Sequence, residues 1–99
     1  MSVTHLIFAT PRTPGFRQAL AAVSTGDRLL FMGHGACAVT RTDALTAIGD
    51  LEDIHVGVYG PDLESRGLLG KIADEAVMVL DEDGLLAWMT ANRLNRTWQ

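Results

Sequence analysis

The chain has little of several features that would point to a particular class of protein. Its 99 residues include one cysteine, eight lysines and arginines together, and six aromatic residues. A single cysteine forbids an internal disulfide, which favours a reducing compartment such as the cytoplasm. The basic residues are outnumbered by 12 acidic ones, giving a net charge of −4. This balance argues against direct nucleic-acid binding, which normally needs a basic face.

Long apolar runs are also missing. Uncharged apolar stretches stay far short of the roughly 20 residues that a membrane-spanning helix needs. The N-terminus lacks the basic, apolar and small-residue order of a signal peptide, so we expect a cytoplasmic protein. Hydrophobic residues nevertheless make up 47% of the chain, with a mean hydropathy of +0.15. That content indicates either apolar surface covered by partner subunits or a parallel sheet buried on both faces.

What the sequence does contain is an alternation of strand-like and helix-like segments. Apolar runs predict strands over 3–9, 28–32, 54–59 and 76–80, with a short fifth strand over 97–99. Helical spacing predicts helices over 16–23 and 43–48, a helical turn or two within 63–72, and a last helix that starts at the acidic triplet 81–83. The alternation predicts one domain over 1–99 with an α/β fold. We expect a three-layer α/β/α sandwich with a mainly parallel four- to five-stranded sheet.

Two glycine-containing motifs follow predicted strands. Gly33-His34-Gly35 comes after the second strand but lacks the remainder of a dinucleotide fingerprint or a P-loop. Gly60-Pro61-Asp62 stops the third strand, and Asp62 is predicted to cap a short helix that Gly67 ends. The passage from a strand into a helix is where α/β proteins place their working surface. One hypothesis is therefore a stand-alone module that binds a small anionic ligand at this strand end.

Few residues are able to carry chemistry. Cys37 follows the first glycine motif. On an exposed loop, nearby backbone N–H groups would favour its thiolate, whereas a small buried cysteine would be inert. His34 lies three residues earlier and is a possible neighbour of the thiol. A second pair of zinc ligands is missing, so the sequence predicts no metal site, and it predicts no cofactor.

Charged and aromatic residues give further candidates. Asp62, Glu64 and Arg66 are candidates for acid–base chemistry. The structural alternative has Asp62 as a cap and Arg66 paired with an acid or facing a partner. Trp88 and Trp98 are either core residues or interface anchors, since aromatic residues are enriched at interfaces. His5 lies inside a strand and is predicted to be packed or hydrogen-bonded.

The ordered set of motifs resembles the DsrH/TusB family of small sulfur-relay subunits over nearly the whole chain. The most specific match is the run from Val58 to Leu63 followed by Arg66-Gly67-Leu68. His5 with Thr10-Pro11, Thr25-Gly26-Asp27 before two leucines, and the closing segment from Asp83 to Trp98 follow the family's order. The resemblance implies an α/β/α sandwich that works in a cytoplasmic complex.

The resemblance also implies partners and a role. Two paralogous small α/β subunits, DsrE/TusD-like and DsrF/TusC-like, are expected in a dimer of heterotrimers, with a downstream sulfur acceptor protein. Such complexes pass persulfide sulfur, in one branch towards 2-thiolation of the tRNA wobble uridine and in another for dissimilatory sulfur oxidation. Ala19 stands where some relatives carry a helix cysteine, which favours a non-catalytic subunit of the thiolation branch.

The sequence therefore identifies no catalytic residue as its main prediction. Asp62, Arg66 and Trp98 are expected to shape an interface or a neighbouring site. Cys37 inherits no role from the resemblance, and its acting as a persulfide carrier, with His34 beside it, is the main alternative.

Overall fold

The computed structural model describes residues 2–51 and 53–99 and contains five strands joined by helical segments. The strands are β1 (Val3–Ile7), β2 (Arg28–Phe31), β3 (His55–Tyr59), β4 (Met78–Leu80) and β5 (Leu94–Trp98). The α-helices are α1 (Pro14–Ala22), α2 (Thr42–Gly49), α3 (Gly60–Ser65) and α4 (Glu82–Ala91). A 3-10 helix, Gly33–Thr40, lies between β2 and α2.

The sheet is entirely parallel, with the strand order β4-β3-β2-β1-β5. The first three connections move the chain one way across the sheet, and the last returns from β4 to the far side of β1. Because parallel crossovers are right-handed, the first three connections place their helices on one face and the last places α4 on the other. The predicted α/β/α sandwich with a parallel sheet is confirmed. We call its two sides the three-helix face and the α4 face.

Each face has its own apolar core, because neighbouring residues of a strand point to opposite sides. The core of the three-helix face is the larger; its buried members include Ile7, Phe16, Ala19, Leu29, Phe31, Val39, Ile48, Val58 and Leu63. The core of the α4 face consists of Leu6, Leu30, Leu80 and Trp88, with Phe8, Met32, Leu85 and Met89 partly buried against it.

The structure differs from the sequence-based expectation in three segments. The stretch after β2, predicted as a loop, forms the 3-10 helix, and the last strand begins at Leu94 rather than at 97. The helix predicted within 63–72 begins at Gly60 and ends at Ser65. The acidic start of the last helix is confirmed, since the Asp81 carboxylate accepts a hydrogen bond from the Gly84 N–H at 2.8 Å. Within the described residues, the helices fall short of the length and apolarity needed to cross a bilayer.

Candidate functional site

The predicted site lies at the carboxyl end of the sheet, where Asp62 joins the segments that leave two neighbouring strands. Asp62 is the third residue of α3, and its Oδ2 accepts a hydrogen bond from the Gly33 N–H at 2.7 Å. Gly33 has a φ of +55°, a left-handed conformation that glycine adopts without steric cost. Tyr59 occupies the N-cap position of α3 without a side-chain bond. The prediction that Asp62 caps its own helix is therefore wrong, because its carboxylate holds the turn after β2 instead.

Arg66 folds back over the same carboxylate. Its Nη1 donates to the Asp62 carbonyl oxygen at 3.0 Å and to Ser65 Oγ at 3.2 Å, and lies 3.8 Å from Asp62 Oδ1. The predicted pairing of Arg66 with an acid is thus confirmed. Both side chains remain partly open to solvent, so we expect this ion pair itself to contribute only about 0–1 kcal/mol. Gly33, Asp62 and Arg66 together form what we call the Asp62 clamp.

The 3-10 helix places Cys37 beside the carboxyl end of the sheet. The backbone of the 3-10 helix packs directly against β1 at Gly35, where an added Cβ would collide with the Ile7 carbonyl group. Cys37 is half-buried two residues further on, and its carbonyl oxygen accepts a hydrogen bond from Thr40 Oγ1 at 2.7 Å. The thiol therefore lies between the two predicted extremes of an exposed loop position and a sealed core position.

The groups around Cys37 do not form a nucleophile–base pair within residues 2–51 and 53–99. His34 is exposed, and no hydrogen bond joins its ring to the thiol in that part of the chain. Arg41, four residues after Cys37, hydrogen-bonds Asp43 through Nε at 3.2 Å and Nη2 at 3.1 Å. These bonds raise the pKa of Arg41 and lower the pKa of Asp43 to about 2. Arg41 thus balances a carboxylate rather than a thiolate, and the described residues hold no cluster of metal-ligating side chains.

Two other predicted positions lie inside the three-helix face. Ala19 is fully buried, so a side chain at this position has no access to solvent in this packing. Trp98 is partly buried, and its indole N–H donates to His5 Nδ1 at 3.0 Å. The remaining tryptophan, Trp88, is a core residue of the α4 face and lies against Gly57, where an added Cβ would come within 2.8 Å of its ring.

A crevice of about 400 Å³ opens between the carboxyl ends of β3 and β4. It forms there because β3 leads to α3 on one face and β4 leads to α4 on the other, which is the switch point where open α/β sheets bind ligands. Its lining includes the carboxylates of Glu64 and Asp81. Two carboxylates oppose the anionic ligand of the stand-alone hypothesis, because like charges repel at short range.

A second cavity, of about 440 Å³, lies at the opposite end of the sheet. Apolar residues from α2 and the amino ends of β3 and β4 line it, among them Leu45, Ile48, Val56 and Val77. The predicted site residues Cys37, His34, Asp62, Arg66 and Trp98 are absent from its lining. Its position gives it no connection to the Asp62 clamp.

The α4 face is only partly covered. A single helix of ten residues lies across five strands, and the apolar side chains beside it remain half-buried. Leu86 on α4 is 61% exposed, and Met78 on the edge strand β4 is 52% exposed. The register places Met78 opposite Gly57, beneath Trp88, so it belongs to this same face. An apolar surface of this kind is typical of a protein–protein contact.

Comparisons with known proteins agree with these observations. A family model described as DsrH like protein matches residues 11–93. No curated protein matches the sequence. Among solved structures, the crystal structure of the ychN protein from E. coli is similar, with a TM-score of 0.73 and 14% sequence identity over 98% of each chain. At that identity the likeness is one of fold, and it supports the five-stranded parallel architecture.

Proposed function

We propose, from the premise that the chain belongs to the DsrH-like family of sulfur-relay subunits, that it is a non-catalytic member of a heteromeric relay complex. Its partners would be two paralogous small α/β subunits, DsrE/TusD-like and DsrF/TusC-like, in a dimer of heterotrimers. The complex would operate in the cytoplasm and hand persulfide sulfur to a downstream acceptor protein. The proposed destination of the sulfur is 2-thiolation of the tRNA wobble uridine.

The observation that carries this proposal is the half-covered α4 face. Among the described residues, the core of the three-helix face has 14 buried and eight partly buried members, whereas the core of the α4 face has four of each. Covering such a surface with a partner removes apolar area from water, which contributes roughly 25 cal/mol per Å². A role completed by neighbouring subunits accounts for an apolar face that the chain itself does not close.

The chemistry of the thiol supports a non-catalytic role. In persulfide transfer, an acceptor thiolate attacks the outer sulfur of a donor persulfide, the donor S–S bond breaks, and the donor leaves as a thiolate. Ala19 supplies no thiol, and Arg41, the basic residue that follows Cys37 in the sequence, is already bonded to Asp43. The acceptor cysteine is therefore assigned to a partner. This chain would help to enclose it, because enclosure limits loss of sulfur to solvent thiols.

The first test is native purification of the chain from its own cells, with co-purifying proteins identified and quantified by mass spectrometry. We expect two small α/β proteins in equal amounts, one of them with a cysteine that alkylating reagents modify. Recovery of the chain alone as a stable monomer would contradict the proposal.

A pair of variants tests the surface. Leu86→Glu is expected to abolish co-purification, because Leu86 lies on the α4 face at 61% exposure. Leu69→Glu is the matched control, since Leu69 is 48% exposed but lines the crevice next to α3. Equal retention of partners by both variants would place the contact elsewhere.

The second candidate function makes Cys37 itself a persulfide carrier, and its half-buried position at the carboxyl end of the sheet is the observation in its favour. A Cys37→Ser variant separates the two roles when sulfur transfer is measured in the assembled complex. Unchanged transfer supports the non-catalytic role, and loss of transfer with assembly intact supports the carrier. Sulfur analysis of tRNA from cells lacking the chain distinguishes thiolation from sulfur oxidation, since only the former predicts a loss of 2-thiouridine.

A further inference from the structure

His5 and Trp98 make a buried contact that joins the centre of the sheet to its last strand. His5 lies on β1 with 1% exposure, and its Nδ1 accepts a hydrogen bond from the Trp98 indole N–H at 3.0 Å. Its Nε2 lies 2.9 Å from Asp27 Oδ2. An indole nitrogen only donates, so Nδ1 must be free of hydrogen. The one proton of the neutral ring is therefore on Nε2 and is donated to Asp27.

Hydrogen bonds to both carboxylate oxygens of Asp27 favour its charged form. Its Oδ2 also accepts a hydrogen bond from the Ser24 N–H, and its Oδ1 accepts one from the Val3 N–H, both at 2.9 Å. Burial acts to raise the pKa of Asp27, but the hydrogen bonds from Ser24, His5 and Val3 outweigh it, so the pKa lies below its ordinary value. The carboxylate therefore stays ionised when the solution is made mildly acidic.

We propose that His5 and Trp98 form a proton-operated latch on β5. A second proton taken from solvent has only Nδ1 to bind, because Nε2 is already protonated. The new N–H then points at the indole N–H, and two donors cannot share a hydrogen bond. The imidazolium keeps its bond to Asp27 and gains an ion pair with it, so the contact that breaks is the one to Trp98.

The surroundings indicate which strand moves. β1 is paired on both sides, whereas β5 lies at the edge of the sheet beside β1 alone, with the side chains of 94–97 exposed. Beyond the indole bond, the end of β5 is held by the Trp98 carbonyl oxygen, which accepts hydrogen bonds from the N–H groups of Phe8 at 2.8 Å and Ala9 at 3.2 Å. We therefore expect release to begin at Trp98 and to loosen β5 while β1 stays in place.

Charged groups around the latch act in opposite directions. Asp27, just before β2, favours a positive His5. Arg96 on β5 disfavours it, since its guanidinium lies over the Trp98 ring at 4.9 Å. Helix α1 covers this side of the sheet with uncharged residues, because its buried members are Phe16 and Ala19. The latch rests on the contacts of His5 and Trp98 alone, so it does not depend on the proposed relay function.

The test is nitrogen-15 NMR of the purified full chain between pH 8 and pH 5. Long-range correlations of the imidazole nitrogens report the tautomer, and solvent exchange reports the Trp98 indole hydrogen bond. We expect the Nε2–H tautomer at pH 8. As Nδ1 of His5 gains its proton, indole exchange, corrected for its intrinsic pH dependence, should rise roughly two- to twelvefold, as expected for loss of one hydrogen bond.

Three variants complete the test. His5→Gln supplies a hydrogen-bond acceptor and a donor but no ionisable group. The rise in indole exchange between pH 8 and pH 5 should therefore disappear. His55→Gln removes an exposed histidine on β3 and should leave that rise unchanged. Trp98→Phe assigns the indole signal by removing it. It should also lower the protection factors of the β5 amides at pH 8 to the values that the unaltered chain shows at pH 5.

Several results would overturn the latch. One is an Nδ1–H tautomer at pH 8. Another is an indole exchange rate that stays constant while His5 titrates. A third is a His5 that remains neutral until β2 amides and the Trp88 indole lose protection at the same pH, because global unfolding would then account for the change.

Discussion

The two faces of the sheet differ in how completely the chain covers them. Among the described residues, 14 buried side chains form the core of the three-helix face and four form that of the α4 face. The cause is topological, because three crossovers run towards β4 and one runs back. The strands also supply fewer apolar side chains to the α4 face, where polar residues such as Thr4, His55 and Thr97 lie among the leucines. The comparison shows that one face stabilises the fold, while the other retains apolar surface that a partner can bury.

Truncation of adjacent residues of one strand gives the largest expected contrast. Phe31 is fully buried on the three-helix face, and Met32 follows it on the α4 face, where it is partly buried. Phe31→Ala should lower the free energy of unfolding by about 3–5 kcal/mol, and Met32→Ala by only about 1–2 kcal/mol. Urea unfolding of the purified chain measures both values. Similar losses would mean that α4 already closes its face.

The acid sensitivity of the three-helix face should depend on Asp27. Its folded-state pKa is lowered, so its contribution to stability is complete above the ordinary value near 3.8 and is lost as the pH falls through the folded value. In Asp27→Asn, one donor among Val3, Ser24 and His5 must face an amide N–H, which should cost roughly 1–3 kcal/mol at pH 7. The fall in stability between pH 5 and pH 2 should also become shallower, as measured by urea midpoints.

Asp43→Asn is the control for that experiment. The pKa of Asp43 is about 2 because Arg41 hydrogen-bonds it, but the pair is exposed and screened by solvent. We expect its stability at pH 7 to be close to that of the unaltered chain. If Asp43→Asn reduced the fall in stability between pH 5 and pH 2 as much as Asp27→Asn does, the buried network would not be the source of the acid sensitivity.

The α4 face has one contact tight enough to test by adding a methyl group. At Gly57 a Cβ would lie 2.8 Å from the Trp88 ring, so Gly57→Ala should cost about 1–3 kcal/mol through overpacking. At Gly49, the last residue of α2, an added Cβ meets nothing within 4 Å, and Gly49→Ala should stabilise by roughly 0.5–1 kcal/mol. Thermal unfolding measures both, and a neutral Gly57→Ala would show that α4 can shift outward without loss.

Local patterns in the sequence predict the layers of this fold but not the contacts that set its site. Strands β1 to β4 and the acidic start of α4 follow from apolar runs and short-range chemistry. The 3-10 helix was missed because its small residues, such as Gly35 and Ala36, carry no helical periodicity. That segment takes its shape from close packing against the end of β1, which a local pattern does not contain.

Long-range hydrogen bonds explain the remaining differences. Asp62 caps a residue 29 positions away, and His5 meets a tryptophan 93 positions away. A sequence motif identifies Asp62 as a capping residue, since carboxylates accept backbone N–H bonds, but it does not identify which N–H group is bound. Register and topology decide the partner: β2 and β3 are neighbours, so Gly33 and Asp62 leave the sheet side by side.

Substitutions in the Asp62 clamp have the smallest expected effect on stability. They test whether Asp62 holds α3 on the three-helix face or takes part in chemistry. Asp62→Ala leaves the Gly33 N–H without its partner and should cost about 1–2 kcal/mol, while Asp62→Asn retains an acceptor oxygen and should cost less. Glu64→Ala, an exposed substitution in the same helix, should stay within about 0.5 kcal/mol of the unaltered chain. Hydrogen exchange of the Gly33 amide should accelerate in the order Glu64→Ala, Asp62→Asn, Asp62→Ala. If Asp62→Ala left Gly33 amide exchange unchanged but impaired sulfur transfer, Asp62 would have a role in the reaction rather than in the stability of the fold.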